Sequence, residues 1–115
     1  MKSLHVSVAV LSPTARPQVR LIARDPSAYE ALVGGPVTRV LCSDAYAVYA
    51  REPELPLFCA EQQRNARADR WLRRRGIDCP DTSLLLGTVI VTGAPDEDGW
   101  DTDIPASLRS AAAPR

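Results

Sequence analysis

The chain predicts an α+β domain built on one mainly antiparallel sheet of about five strands, in the order β-β-α-β-β-α-β-α. Three observations predict it. Short runs rich in Val, Leu and Ile carry strand chemistry, several with period-two alternation. Segments between them carry helix start and stop residues instead. Some strand runs are also separated by only a few turn residues, which suits antiparallel neighbours better than the long crossovers that parallel strands require. With 115 residues, 45% hydrophobic and 24% charged, the chain is expected to form a single α+β domain, residues 1–112, with a frayed tail at 113–115.

The first strand is expected from Leu4 to Leu11, with Leu4, Val6, Val8 and Val10 on its one well-buried side and His5, Ser7 and Ala9 on the other. Two prolines make Ser12–Pro17 a loop. Gln18–Arg24 is the second strand, with Val19, Leu21 and Ala23 on one face and Arg20 and Arg24 pointing outward beside Ile22. Asp25-Pro26 then starts a helix, because the carboxylate accepts from free first-turn amides and proline at the first position gives up no needed donor. Tyr29 with Ala28, Leu32 and Val33 forms its apolar stripe, and Gly34-Gly35 stops it. Strands at Val37–Cys42 and Ala45–Ala50 flank a Ser43-Asp44 turn. After an irregular proline-containing stretch, a helix is expected from about Glu61 to Arg75, ending at Gly76, with a narrow apolar face of Ala68, Trp71 and Leu72 and Asn65 at its edge. Leu84–Val91 reads as a central strand apolar on both faces, with Gly87 permitting close approach of another group. Asp103 is expected to cap a short final helix, Ile104–Ala112.

Charge distribution supplies the main functional clue. The formal net charge is zero and the pI is about 6.6, yet Arg64, Arg67, Arg70, Arg73, Arg74 and Arg75 fall in one twelve-residue window. Seven of the fourteen acids lie downstream of it. At 100° per residue, Arg67, Arg70 and Arg74 share about 60° of the helix surface. Such a stripe binds an anion, binds an acidic partner, or pairs with Asp69, Glu61 and the acidic loop of its own chain. The candidate binding residues are therefore Arg64, Arg67, Arg70 and Arg74, together with Trp100, which is either a lid on the core or an aromatic anchor for a partner.

The remaining chemistry is sparse. His5 is the only imidazole and reads as structural. Cys42, Cys59 and Cys79 form no C-x-x-C pair and read as reduced thiols packed as small hydrophobes. Asp96, Glu97, Asp98, Asp101 and Asp103 lack the alternation and distal glutamate of a calcium loop. No metal, cofactor or catalytic set is therefore expected, and a small enzyme is the second alternative to a binding protein. Strict alternation in the first strand also argues against a signal peptide, so a cytoplasmic location and no membrane partner are expected.

Several segments, in order, carry a family resemblance: Pro17–Ile22 (PQVRLI), Tyr29–Val37, Leu55-Pro56-Leu57, Asn65 with Ala68, Gly87–Gly93 and Asp101–Pro105. Together they resemble the small proteins known as domain of unknown function 3846, over nearly the whole chain. The departure is Phe58–Arg64, which intervenes where the family pattern places its asparagine directly after Leu-Pro-x. The resemblance implies an accessory protein of a phage, plasmid or other mobile element in a bacterial host, and the lack of a catalytic constellation adds the expectation that it is non-enzymatic. Such a protein would bind a host protein or small anionic ligand, with inhibition of host defence as one outcome. It implies no activity, cofactor or catalytic residue. The alternative from the residues themselves is a nucleotide or nucleic-acid binder using the arginine helix.

Overall fold

The computed structural model describes residues 4–52 and 64–111. Strands β1 (His5–Leu11) and β2 (Gln18–Ala23) form an antiparallel hairpin, as do β3 (Val37–Cys42) and β4 (Tyr46–Arg51). The last strand, β5 (Val89–Gly93), inserts between them, giving the sheet order β2-β1-β5-β4-β3 with every pairing antiparallel. Helices α1 (Pro26–Val33), α2 (Ala66–Arg74) and α3 (Ala106–Ala111) complete the expected order.

Alternation along the three inner strands divides the core in two. Val6, Val8 and Val10 of β1, Ala47 and Tyr49 of β4, and Ile90 of β5 meet Tyr29 and Val33 of α1. The opposite set, Ala9, Leu11, Val48, Ala50, Val89 and Val91, packs with Ala68, Trp71 and Leu72 of α2 and Leu108 of α3. β1 is thus buried on both sides from Val6 onward, not on one side as its alternation suggested. Small Ala9 and Ser7 occupy the second face because helices cover it as well. Leu4, expected to join that buried row, is 80% exposed. Edge strand β2 leaves Leu21 exposed.

The helix ends follow their local chemistry. Asp25 accepts from the Ser27 amide at 3.1 Å to open α1, and Gly34 closes it at φ 85°, in the left-handed region that glycine tolerates best. At the β3–β4 turn, Ser43 Oγ accepts from the Ala45 and Tyr46 amides, and a bulge lies between Arg39 and Leu41.

Three expectations need correction. Leu84–Val91 is not one strand: Thr82–Leu84 forms a 3-10 turn, Gly87 adopts φ 62°, and the strand begins only at Val89. Gly87 supplies a positive φ there, since a Cβ at that position would meet nothing within 4 Å. Asp103 turns to β1, where its Oδ1 accepts from the Ser7 amide at 2.8 Å, while the Ile104 amide donates to the Ser7 carbonyl at 2.9 Å. It thereby continues the hydrogen bonding of β1 past its short pairing with β5. Cys42 is exposed at the end of β3 and not packed; Cys79 is half-buried, and burial raises its thiol pKa, with Asp69 adding to the shift. Cys59, Glu61, the stretch 53–63 and the tail from 112 lie outside the described residues. Among those described, no helix is long and apolar enough to cross a membrane.

Candidate functional site

Asn65 organises the arginine-rich side of the molecule. Its side chain is fully buried and accepts from the Ala68 amide at 2.9 Å, capping α2. The same amide group donates through Nδ2 to the Leu11 carbonyl at 2.9 Å and the Gly87 carbonyl at 2.7 Å. One side chain therefore ties the start of α2 to the end of β1 and to the turn before β5. It belongs to the helix cap and the core, not to the edge of an apolar stripe.

This junction sets the β1–β2 loop beside α2. Arg67 Nη1 donates to the Ala15 carbonyl of that loop at 3.3 Å. Between loop and helix lies a groove of about 480 Å³, bordered by Arg16 from the loop and by Arg67, Arg70, Arg74 and Arg75 from α2 and its end. Leu11, Ala68 and Trp71 supply apolar lining, and none of the described lining residues is an acid. Arg75 sits with its guanidinium carbon 4.1 Å from the Trp71 ring centroid and donates to the Trp71 carbonyl at 2.8 Å. Burial, then the neighbouring Arg74 charge, pushes the Arg75 pKa down. Arg16, Arg70 and Arg74 have neither an ion pair nor a hydrogen bond from their side chains among the described residues.

Arg64 has a different position. It bridges to Leu86 and pairs with Asp69 at 3.3 Å; Asp69 also accepts from Arg73 at 2.9 Å. The acid expected to offset the stripe does pair with arginines of the window, but with Arg64 and Arg73 and not with the groove set. Sequence periodicity identified Arg67, Arg70 and Arg74 as one surface. It missed Arg16, which arrives from a loop remote in sequence, and Arg75, which continues the charge past the last helical turn.

Trp100 belongs to the other face of the sheet, beside α1. It is 45% exposed and borders a second pocket, of about 230 Å³, with Arg24, Asp25, Pro26, Tyr29, Val37, Arg39, Tyr49 and Asp101. Buried hydroxyls organise this pocket. Tyr29 Oη donates to Asp101 Oδ2 and Tyr49 Oη to Asp101 Oδ1, each at 2.7 Å, while Arg39 Nε donates to Tyr49 Oη at 3.2 Å. The tyrosine rings meet edge to face at 5.2 Å, and the Arg39 guanidinium carbon lies 5.6 Å from the Tyr49 centroid. Burial first, then the hydrogen bond to Asp101, raises both phenol pKa values above the ordinary range. Both hydroxyls consequently stay protonated near neutrality and act as donors.

The network anchors the turn that carries Trp100. Asp96 Oδ1 accepts from the Asp98 and Trp100 amides within that turn, and Thr102 Oγ1 donates to the Ala94 carbonyl. Trp100 is thus a partly exposed wall, neither buried in the core like a closed lid nor isolated on the surface. The sequence did carry one signal for this site: Tyr29 and Tyr49 both fall on inward positions, and a buried tyrosine hydroxyl requires a partner.

The groove and pocket lie on opposite faces of the sheet, so the arginine stripe and Trp100 do not form one site. Among the described residues, neither lining holds a thiol, amine or imidazole. Among the described residues, no cluster of three or more His, Cys, Asp or Glu side chains is arranged to hold a metal ion. No family model, curated protein or solved structure matches the chain.

Proposed function

We propose that the protein is a binding module for a phosphate-bearing ligand, held in the groove between the β1–β2 loop and α2. The carrying observation is the convergence of Arg16, Arg67, Arg70, Arg74 and Arg75 on one groove with no acid among its described lining residues. Guanidinium forks match phosphate oxygens geometrically and hold their charge throughout the physiological range. A chain of zero net charge attracts polyanions only through such a local patch.

The geometry favours backbone or phosphate contacts over base stacking at this site. Trp71 is only 6% exposed and is approached by Arg75, so it presents little open ring face to a base. The family resemblance would assign such a module to an accessory protein of a mobile element, with a phosphorylated host component as its target.

A fluorescein-labelled single-stranded oligonucleotide, titrated by fluorescence anisotropy, tests the reading. Affinity should fall with salt, with a log–log slope of about −3 if four phosphates are neutralised. Inorganic phosphate and a nucleoside triphosphate, used as competitors, separate a nucleic-acid backbone from a small phosphorylated ligand. The triple substitution Arg67→Glu, Arg70→Glu and Arg74→Glu should abolish binding while the circular dichroism spectrum is retained. Unchanged binding by that variant, or failure of all three probes to bind, would reject the proposal.

A further inference from the structure

The pocket on the α1 face differs in charge from the arginine groove. Arg24 and Arg39 are balanced by Asp25 and Asp101, so the charges of its described lining residues cancel. A bare anion would gain from the arginines but meet the carboxylates, and a bare cation would meet the opposite pairing. The better complement is an uncharged ligand whose edge carries both hydrogen-bond donors and acceptors.

Its shape narrows the class further. The volume of about 230 Å³ is below the roughly 300–1,000 Å³ of drug-sized ligand sites, which favours a single small ring system. Trp100 offers a partly exposed indole, and its backbone is fixed by the Asp96 turn. The guanidinium groups of Arg24 and Arg39 border the same pocket as the carboxylate and supply its charged donors. Asp101 is oriented by two tyrosine hydroxyls, while the lone-pair capacity of a carboxylate exceeds those two bonds.

We propose that this pocket binds a flat, neutral heteroaromatic ring of the nucleobase type, stacked on Trp100, with its N–H edge toward Asp101 and its acceptors toward Arg24 and Arg39. Stacking on an exposed aromatic side chain is tolerant of ring identity, whereas the mixed polar edge selects against purely apolar rings. The site is independent of the phosphate groove, which lies across the sheet.

Guanosine is a suitable probe because it carries adjacent donors and acceptors without a phosphate. Isothermal titration calorimetry on the full chain should give saturable binding to guanosine, with phenylalanine and benzoate binding at least tenfold more weakly. Trp100→Ala, at a partly exposed site, should weaken guanosine binding about tenfold or more. Arg39→Gln should weaken it too, whereas the triple Arg67, Arg70 and Arg74 glutamate variant should bind guanosine as the unaltered protein does. Absence of saturable guanosine binding would overturn the proposal. So would equal binding of benzoate or phenylalanine, retention of affinity in Trp100→Ala, or loss of affinity in the groove variant.

Discussion

The two faces of the sheet place charge in contrasting ways. On the α2 face, five arginines border a groove and, among the described residues, its lining holds no acid and only Arg67 and Arg75 of the five donate to backbone carbonyls. On the α1 face, two arginines share a smaller pocket with two aspartates, and a tyrosine pair fixes Asp101 from beneath. Exposed guanidinium groups cost the fold little and remain available to a ligand, whereas the buried hydroxyl network contributes to holding a loop in place. The two faces separate availability from preorganisation: the groove offers charge that no described lining residue offsets, and the pocket offers polar groups already oriented.

Removing Asn65 should break the groove side most severely. Asn65→Ala loses the α2 cap, worth about 1 kcal/mol, and leaves the Leu11 and Gly87 carbonyls without their donor. Together these effects should cost about 3 kcal/mol in chemical denaturation. Asn65→Asp is a sharper variant: it retains a cap acceptor but faces a carboxylate toward both carbonyls, so it should also be strongly destabilised. If Asn65→Asp were as stable as the unaltered chain, the cap alone would explain Asn65 and the three-way tie would be unnecessary.

A backbone change should disturb the pocket side almost as much. A Cβ on Gly93 would collide with the Asp103 carbonyl and the Thr102 hydroxyl, both on the segment returning from the Trp100 turn. Because Gly93 also donates to the Thr102 carbonyl at 2.9 Å, that segment has little room to retreat. Gly93→Ala should therefore cost about 3 kcal/mol, measured by thermal or denaturant unfolding. Near-normal stability would show that the return segment shifts readily, and would weaken the description of the pocket as preorganised.

Tyr29→Phe should have an intermediate effect, about 2 kcal/mol, because it removes a buried hydrogen bond to a carboxylate. Its pH signature is more diagnostic than its size. The folded phenol pKa lies above the unfolded value, so the folded chain retains a proton that the unfolded chain releases above about pH 10. The associated stability is present in full below that point and declines as pH rises through the alkaline range toward the folded pKa. Unaltered protein should lose stability more steeply above pH 10 than Tyr29→Phe does. Parallel alkaline curves would place Tyr29 outside the network.

Much of this architecture was legible because local rules and tertiary demands agree. The Asp25-Pro26 start, the Gly34 stop and the period-two strands specify their own elements, and the five-stranded antiparallel sheet follows the expected element order. The helical spacing of Arg67, Arg70 and Arg74 likewise defines a shared surface before any tertiary contact is considered. Leu84–Val91 misled because hydrophobicity indicates burial but does not distinguish a strand from the 3-10 turn and positive-φ Gly87 that precede it. Asp103 misled for another reason: a carboxylate before a helix has cap chemistry, but the unpaired Ser7 amide of β1 competed for it across the fold. Asp101 was hidden for the same reason, since its tyrosine donors lie 52 and 72 residues away in sequence.

The smallest expected effect lies between two sides of α2 itself. Arg70 has no ion pair among the described residues and shares its surface with Arg67 and Arg74, whereas Arg73 donates to Asp69 at 2.9 Å. Arg70→Ala should leave stability within about 0.5 kcal/mol, with a slight gain at low salt as like-charge repulsion is relieved and alanine favours the helix. Arg73→Ala should instead be the more destabilising of the two, because it takes one of two arginine partners from the buried Asp69, an effect kept small by the exposure of Arg73 itself. Raising salt from 0.05 to about 0.5 M should narrow the difference between these variants through screening. If Arg70→Ala were the more destabilising substitution at low salt, Arg70 would have a structural role on α2, and the groove would no longer be a surface kept free of intramolecular work.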